Sequence, residues 1–345
     1  LDIVFTALHG TSIVSVPPAL AKAGFTNVHL VEAQSTPDGN FPTVASPNPE
    51  ESAALAMAVA QAEATNADLV IGCDPDTDRV GIAVNDGTGK MQLLNGNDTA
   101  ALLVHYILNA YKTNGTLPAN GFTAATVVTT DLIADISAAY GVPCYRCLTG
   151  FKWIADIINN KPEEQFLVGG EESYGYLIGD DVRDKDAVAS AVMIAEMAAN
   201  AKAKGRTVLE QLEAIHREFG QYQERLISIT KKGRSGAQEI ADMMTALRNN
   251  PPKTLAGSPV IIAIDHSNST QTDLRTGATS STELPGSNVL QFITEAGDKV
   301  SARPSGTEPK IKFYFSVRTT TSEGHAATKA ELERKIDTFI EELNL

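Results

Sequence analysis

Cysteine is scarce in this chain. Cys73, Cys144 and Cys147 are the three cysteines in 345 residues, too few for a disulfide framework. That count fits a reducing compartment, and a cytoplasmic location is expected. Two of them form a C-x-x-C in Pro143-Cys144-Tyr145-Arg146-Cys147. A redox pair is one reading of it, and zinc is a weaker one because no second Cys/His pair lies nearby. Two buried or half-buried thiols on a strand and its loop is the reading preferred. Positive charge is also short: 28 Lys and Arg stand against 42 Asp and Glu, for a net charge of −14. An acidic surface argues against nucleic acid or an anionic membrane as partner. A few local cations can still make a phosphate site. No run of about 18 apolar residues occurs, so no membrane span is expected. No secretory signal is read either. The chain opens directly on a core-like strand, Leu1-Asp2-Ile3-Val4-Phe5-Thr6, so an upstream part is expected to be missing.

What the chain does have is one stretch around which the rest is arranged. Leu69-Val70-Ile71-Gly72-Cys73 leads into Asp74-Pro75-Asp76-Thr77-Asp78-Arg79, and Val80-Gly81-Ile82-Ala83-Val84 leads out. Three alternate carboxylates repel one another unless a cation sits among them. The pattern reads as strand, metal loop, strand, with Arg79 placed to hold an anion beside the metal. Hard oxygen donors suit Mg²⁺, with Mn²⁺ as the alternative. An EF-hand would need Gly where Arg79 stands and Glu where Asn85 stands. An acidic surface turn is the bland reading.

A length of 345 residues suggests roughly two to four domains of about 100–200 residues each. Three blocks are expected: 1–92, 93–225 and 226–345. In the first, strands at 3–6, 28–31 and 69–73 alternate with helices at 16–23 and 51–64. The stretch 36–50 holds Pro37, Pro42, Pro47 and Pro49 and must be an irregular loop. The second block repeats the rhythm, with strands near 125–129, 143–147 and 166–169 between helices. The third groups strands near 260–264, 288–293 and 312–317 with a charged amphipathic helix at 326–343. The expected fold is α/β: two consecutive α/β domains with mixed, mostly parallel sheets, then a smaller α+β C-terminal domain. Ligands of such sheets sit at the carboxyl ends of strands, where the acidic loop falls.

Three more stretches carry chemistry. Arg303-Pro304-Ser305-Gly306-Thr307-Glu308-Pro309-Lys310 combines a guanidinium, two hydroxyls and a glycine amide, and reads as a phosphate cradle or a polar surface turn. Gly170-Glu171-Glu172-Ser173 offers carboxylate and hydroxyl to the vicinal hydroxyls of a sugar, or simply acids at a helix start. Thr149-Gly150-Phe151-Lys152-Trp153 sets a lysine between two aromatics, for proton transfer or as a snorkelling helix residue. His9 faces the acidic loop's cleft or caps a turn. Asp184-Lys185-Asp186 reads as a solvated charge run.

Taken in this order, the four loops resemble the α-D-phosphohexomutases, the phosphoglucomutases and phosphomannomutases. Asp74 to Arg79 is similar to the family's metal loop and Thr149 to Trp153 to its lysine segment. Glu171 to Ser173 is similar to its sugar loop, and Arg303 to Thr307 to its phosphate loop. Phe41-Pro42 to Pro47-Asn48-Pro49-Glu50 also resembles a family signature. The likeness spans the family's second, third and fourth domains. The family's first domain carries its phosphoserine in a Thr-Ala-Ser-His-Asn-Pro-like loop that these residues do not contain. Ala45-Ser46-Pro47-Asn48-Pro49 is only superficially similar to it. The resemblance implies interconversion of hexose 1-phosphate and hexose 6-phosphate through a hexose 1,6-bisphosphate and an enzyme phosphoserine. Glucose is the favoured sugar, and mannose or pentose phosphates are alternatives. It implies Asp74, Asp76 and Asp78 as metal ligands, and Arg79 and Lys152 as catalytic residues. Glu171 and Ser173 would hold the sugar, and Arg303, Ser305, Gly306 and Thr307 the phosphate that is not reacting. Without the phosphoserine domain the chain is expected to be inactive alone. A non-catalytic sugar-phosphate binding module and a metal-dependent phosphatase are the readings from other classes.

Overall fold

The computed structural model describes residues 1–231, 233–306, 308–320 and 325–345, apart from the side chains of residues 234 and 325. It divides into two compact units, Leu1–Ile215 and His216–Leu345.

The first unit begins with β1 (Ile3–Thr6), α1 (Val16–Lys22), β2 (Val28–Leu30), α2 (Ser52–Thr65), β3 (Leu69–Cys73), β4 (Val80–Asn85) and β5 (Met91–Leu94). Their sheet runs β2-β1-β3-β4-β5. The first three strands are parallel, and β4 and β5 return antiparallel. β1 and β3 are buried along their whole length, as strands covered on both faces must be. α1 has Pro17 in its first turn, where a missing N–H breaks no helix bond. α2 stops at Asn66, whose left-handed backbone (φ 51°) cannot continue the helix.

The unit continues with α3 (Gly96–Thr113), β6 (Gly121–Thr126), α4 (Leu132–Ala139), β7 (Cys144–Cys147), α5 (Lys152–Asn160), β8 (Gln165–Glu171), β9 (Gly175–Ile178), α6 (Ala187–Ala203) and the first two turns of α7 (Val208–Phe219). Here the sheet runs β7-β6-β8-β9, with β8 and β9 antiparallel. The two sheets therefore repeat one plan: three parallel strands, then a hairpin from the third to the fourth. The turn of the first hairpin is the acidic loop, and the turn of the second is Glu172-Ser173-Tyr174. α6 packs on β3 and β4 of one sheet and on β9 of the other.

The second unit is sheet-rich. β10 (Gln221–Thr230), α8 (Gly233–Asn249), β11 (Thr254–Leu255), β12 (Ser258–Asp265), β13 (Thr270–Asp273), β14 (Thr279–Ser281), β15 (Leu290–Thr294), β16 (Lys299–Pro304), β17 (Lys310–Thr319) and α9 (His325–Glu342) follow in order. The antiparallel sheet runs β10-β17-β16-β15-β12-β13-β14, with β11 paired to β12. Ile311, Phe313, Phe315 and Val317 alternate along β17 onto one face and meet Ile240 and Met244 of α8 and Leu332, Ile336 and Phe339 of α9. Arg225 and Leu226, at the expected start of the third block, lie mid-strand in β10, opposite Phe315 and Tyr314. Arg303 and Pro304 belong to β16 rather than to a loop, with Arg303 opposite Lys312. Proline is tolerated there because β15 pairs with β16 only as far as Ala302, which leaves an edge at Pro304. Among the described residues no helix is long and apolar enough to cross a membrane.

Candidate active site

The acidic loop is folded by its own first carboxylate. Asp74 Oδ1 accepts hydrogen bonds from the backbone N–H groups of Asp78 (3.0 Å) and Arg79 (2.9 Å). This curls the chain so that Asp74, Asp76 and Asp78 each offer an oxygen within 4.8 Å of the others. Asp74 is buried, Asp78 half-buried and Asp76 exposed. Burial is the largest influence on Asp74 and raises its pKa to about 7. The two backbone N–H groups oppose that rise, while the charges of Asp78 and Asp76 add to it. Arg79 lies 3.8 Å from both Asp74 and Asp78 and 3.7 Å from Glu50, and its buried Nε makes no hydrogen bond. Three clustered carboxylates and a guanidinium fit a hard divalent cation with an anion beside it.

The tip of the loop is strained. Thr77 has φ 67°, a conformation that β-branched residues avoid. Neighbouring segments hold it there. Thr11, just after β1, donates to the Pro75 carbonyl through its N–H (2.8 Å) and its hydroxyl (3.0 Å), and that hydroxyl also meets Thr77 Oγ1 at 2.8 Å. Ala187 at the start of α6 reaches the Thr77 carbonyl at 3.4 Å. His9 does not face the carboxylates. Its ring is buried against the Thr36 carbonyl (3.2 Å) and Thr43 Oγ1 (2.8 Å), where it braces the proline-rich loop.

The second hairpin turn comes up against the first. The Tyr174 carbonyl accepts the N–H of Val80 at 3.0 Å, and Tyr174, like Thr77, has φ 67°. The two glutamates of the turn differ. Glu171 is buried, and its Oε1 accepts the N–H of Gly150 at 2.7 Å, which fastens the lysine segment to the end of β8. Glu172 turns into its own sheet and accepts from the hydroxyls of Thr129 (3.1 Å) and Thr126 (3.3 Å). Burial, then the charge of Glu171, raises the Glu172 pKa. A raised folded-state pKa means that this group's stabilisation is present at low pH and lost as pH rises above the ordinary glutamate range. Glu172→Gln keeps an acceptor for both threonines. It is expected to melt at or above the parent at pH 8 and to lose that advantage near pH 4, as thermal melts at the two pH values would show. Ser173 is half-buried, and Lys152 is exposed in the first turn of α5 with its ammonium 5.1 Å from the centre of the Trp153 ring.

Of the stretch 184–186, Asp184 is solvated but Lys185 and Asp186 are not. Asp186 caps α6 through the N–H groups of Val188 and Ala189, and Lys185 reaches Asp78. In sequence it is indistinguishable from a surface charge cluster, so only its contacts reveal it. Thr11 is another residue that the sequence did not single out, although it directly follows His9-Gly10. The C-x-x-C is two free thiols. Residues three apart on a strand face opposite sides, and burial pushes the Cys147 thiol up to about 12. Ser46 is half-buried and donates to Glu51 at 2.8 Å.

In the second unit, β16 ends on Arg303-Pro304, and two hydrogen bonds follow it. The Ser305 N–H donates to the Lys310 carbonyl (2.7 Å), and the Glu308 N–H donates to Ser305 Oγ (3.3 Å). Gly306 is exposed, and Thr307 lies outside the described residues. The first unit thus gathers Asp74, Asp76, Asp78, Arg79 and Glu171 around two touching turns, while in the second unit Arg303 lies on β16 and Ser305 and Gly306 directly follow that strand.

Residues 1–88 match the family model of phosphoglucomutase/phosphomannomutase alpha/beta/alpha domain II, and residues 95–219 match that of domain III. A phosphoglucomutase of Staphylococcus epidermidis is 39% identical over 318 residues, which are 92% of this chain and 57% of the relative. A probable phosphomannomutase of Haemophilus influenzae is 39% identical over 320 residues, 92% of this chain and 60% of the relative. The chain therefore spans well under two thirds of the length of either relative. Among solved structures, the open form of the phosphoprotein pp63/parafusin, a phosphoglucomutase from Paramecium, covers all of this chain with 57% of its own length, at 17% identity and TM-score 0.70. An Aspergillus fumigatus N-acetylphosphoglucosamine mutase, solved with GlcNAc-6P and magnesium, covers 99% of this chain with 60% of its own, at 11% identity and TM-score 0.50. The repeated α/β plan, the acidic hairpin turn and these two domain matches lead to one conclusion: the chain belongs to the phosphoglucomutase/phosphomannomutase family.

Proposed function

We propose that these residues are the metal-, sugar- and phosphate-binding part of a phosphohexomutase that interconverts hexose 1-phosphate and hexose 6-phosphate, with glucose favoured. One observation carries the reading: the carboxylate-bearing turn and the glutamate-bearing turn are hydrogen-bonded to each other, Val80 N–H to Tyr174 carbonyl. A cation site and a polyol site side by side suit a sugar whose phosphorylated end reacts. Mg²⁺ at Asp74, Asp76 and Asp78 supplies charge neutralisation at a phosphoryl oxygen. Arg79 binds a neighbouring phosphoryl oxygen by charge-assisted hydrogen bonds. Lys152 gives and takes the proton at the reacting hydroxyl oxygen. Glu171, fixed by Gly150, and Ser173 bind sugar hydroxyls. Arg303, Ser305, Gly306 and Thr307 grip the phosphate that does not react. The transferable phosphate belongs to an enzyme phosphoserine, and hexose 1,6-bisphosphate is the intermediate and activator.

The chain incubated with Mg²⁺, glucose 1-phosphate and catalytic glucose 1,6-bisphosphate tests the reading. Binding of glucose 1-phosphate without product supports a binding part that needs a donor from elsewhere. Glucose 6-phosphate formed by these residues alone would place the donor within them. Steady release of inorganic phosphate would favour a phosphatase instead. The near-equal likeness to a probable phosphomannomutase makes mannose 1-phosphate the second substrate to try. Arg303→Ala is expected to weaken glucose 1-phosphate binding roughly tenfold, the scale of one charge-assisted bond, and to leave Mn²⁺ binding unchanged. Calorimetric titration reads both.

A further inference from the structure

His9 has no part in the reading above, yet it stands two residues before the threonine that holds the acidic loop. The backbone there is strained. Leu8 (φ 46°) and His9 (φ 61°) are consecutive left-handed residues, and neither is glycine. Both are buried. The bend they make carries the chain out of β1, sets Gly10 against Pro75 and brings Thr11 to the Pro75 carbonyl. A continuous line of hydrogen bonds fixes this bend. The Leu8 N–H donates to Thr6 Oγ1 (3.1 Å), and the Thr6 hydroxyl donates to Gln34 Oε1 (2.6 Å). Gln34 Nε2 donates to Thr43 Oγ1 (3.0 Å), which leaves the Thr43 hydrogen for His9 Nε2 (2.8 Å). The Thr36 carbonyl can only accept, so it takes the hydrogen on His9 Nδ1 (3.2 Å). The His9 backbone is used as well: its N–H donates to the Gln34 carbonyl, and its carbonyl accepts the Asp38 N–H. Thr6, Gln34 and His9 are buried, so a bond lost among them is costly.

We propose that His9 is a positioning residue for the metal loop: its ring, gripped by Thr43 and Thr36, holds the left-handed bend that places Thr11 against Pro75 and Thr77. The proposal rests on the metal reading given above. His9 does not reach the carboxylates and acts through Thr11. Released from the ring's two contacts, Leu8 and His9 relax toward ordinary backbone angles and Thr11 draws back. The loop tip, itself strained at Thr77, then loses its hold. Asp74, Asp76 and Asp78 no longer converge, and the cation is bound less tightly. Thr43 serves the same end, although it lies 34 positions from His9.

The test compares the parent chain with His9→Phe, His9→Asn and Thr43→Val. Phe fills the place of the ring and makes neither bond. Asn keeps a donor near the position of Nδ1 and tolerates the left-handed region. Val keeps the shape of Thr43 and removes its hydroxyl. Mn²⁺ affinity is read by electron paramagnetic resonance, and the melting temperature is read in the presence of a chelator. His9→Phe and Thr43→Val are each expected to weaken Mn²⁺ binding about tenfold, the scale for a lost supporting contact at a metal site. His9→Asn should stay nearer the parent than either. On a Thr11→Val background, the loss caused by His9→Phe should be smaller than on the parent, because both act through one contact. A ring that only fills space would give the opposite order, with Phe near the parent and Asn well below it. A ring that only supports the fold would lower the melting temperature and leave Mn²⁺ affinity unchanged. Either result overturns the proposal. If His9→Phe does not fold, Thr43→Val decides the matter, since Thr43 is exposed. A parent chain that binds no Mn²⁺ overturns the metal reading and this proposal with it, a failure visible before any variant is made.

Discussion

Gly10→Ala is expected to dislodge the acidic loop. A Cβ at this position would stand 2.3 Å from Pro75 Cα, 2.6 Å from its carbonyl oxygen and 2.8 Å from its carbonyl carbon. All three atoms are backbone, so no rotamer change relieves the clash. The φ of Gly10 is −105°, which any residue can adopt, so the objection is steric alone. Separating the two segments breaks both bonds from Thr11 to the Pro75 carbonyl and the contact between Thr11 and Thr77, which together hold the strained tip. Overpacking of this kind costs about 1–3 kcal/mol. The larger consequence is for the cation, since Asp74, Asp76 and Asp78 converge only while the loop stays curled. Mn²⁺ affinity should fall at least about tenfold, as disturbed supporting residues typically cause, together with a lower melting temperature. Gly39→Ala is the control: nothing lies within 4 Å of its Cβ position, and it should change neither.

Asp74→Asn should separate binding from stability. Asn keeps an Oδ1 acceptor for the N–H groups of Asp78 and Arg79, so the curl survives. It removes one of three carboxylates packed within 4.8 Å, and the buried one at that. Burial and the repulsion of Asp76 and Asp78 make that charge costly in the metal-free protein. In the presence of a chelator the variant should melt no lower than the parent. Mn²⁺ affinity should fall by about a hundredfold or more, since the lost carboxylate is a direct ligand on this reading. A variant that binds Mn²⁺ normally would remove Asp74 from the ligand set. One that melts far lower would show that the charge, and not the acceptor, holds the loop.

How much of this was legible in the sequence depended on whether the signal was local. The acidic loop could be read because its two flanking apolar runs and its alternate carboxylates sit within sixteen residues. The alternation of strands and helices in the first unit could be read for the same reason. β16 was hidden because Arg303-Pro304 has the composition of a turn, and only pairing with β17 makes it a strand. Glu171 and Glu172 are neighbours of one type, and the sequence cannot say which one turns toward Gly150 and which toward Thr126 and Thr129. The contact of Lys185 with Asp78 joins residues 107 positions apart. Such long-range pairings are decided by packing and leave no local trace.

The shared helix α6 bears on how the first unit comes apart. Its buried residues, among them Ala191, Ile194, Ala195 and Met197, lie between β3 and β4 on one side and β9 on the other. Neither sheet can shed that cover without uncovering the other, so opening one exposes apolar surface on both. The segments that match two separate domain models in sequence are thereby joined into a single cooperative unit of unfolding, and a cut near residue 90 would strip the first sheet of this cover and bare the face of α6 that it packs on.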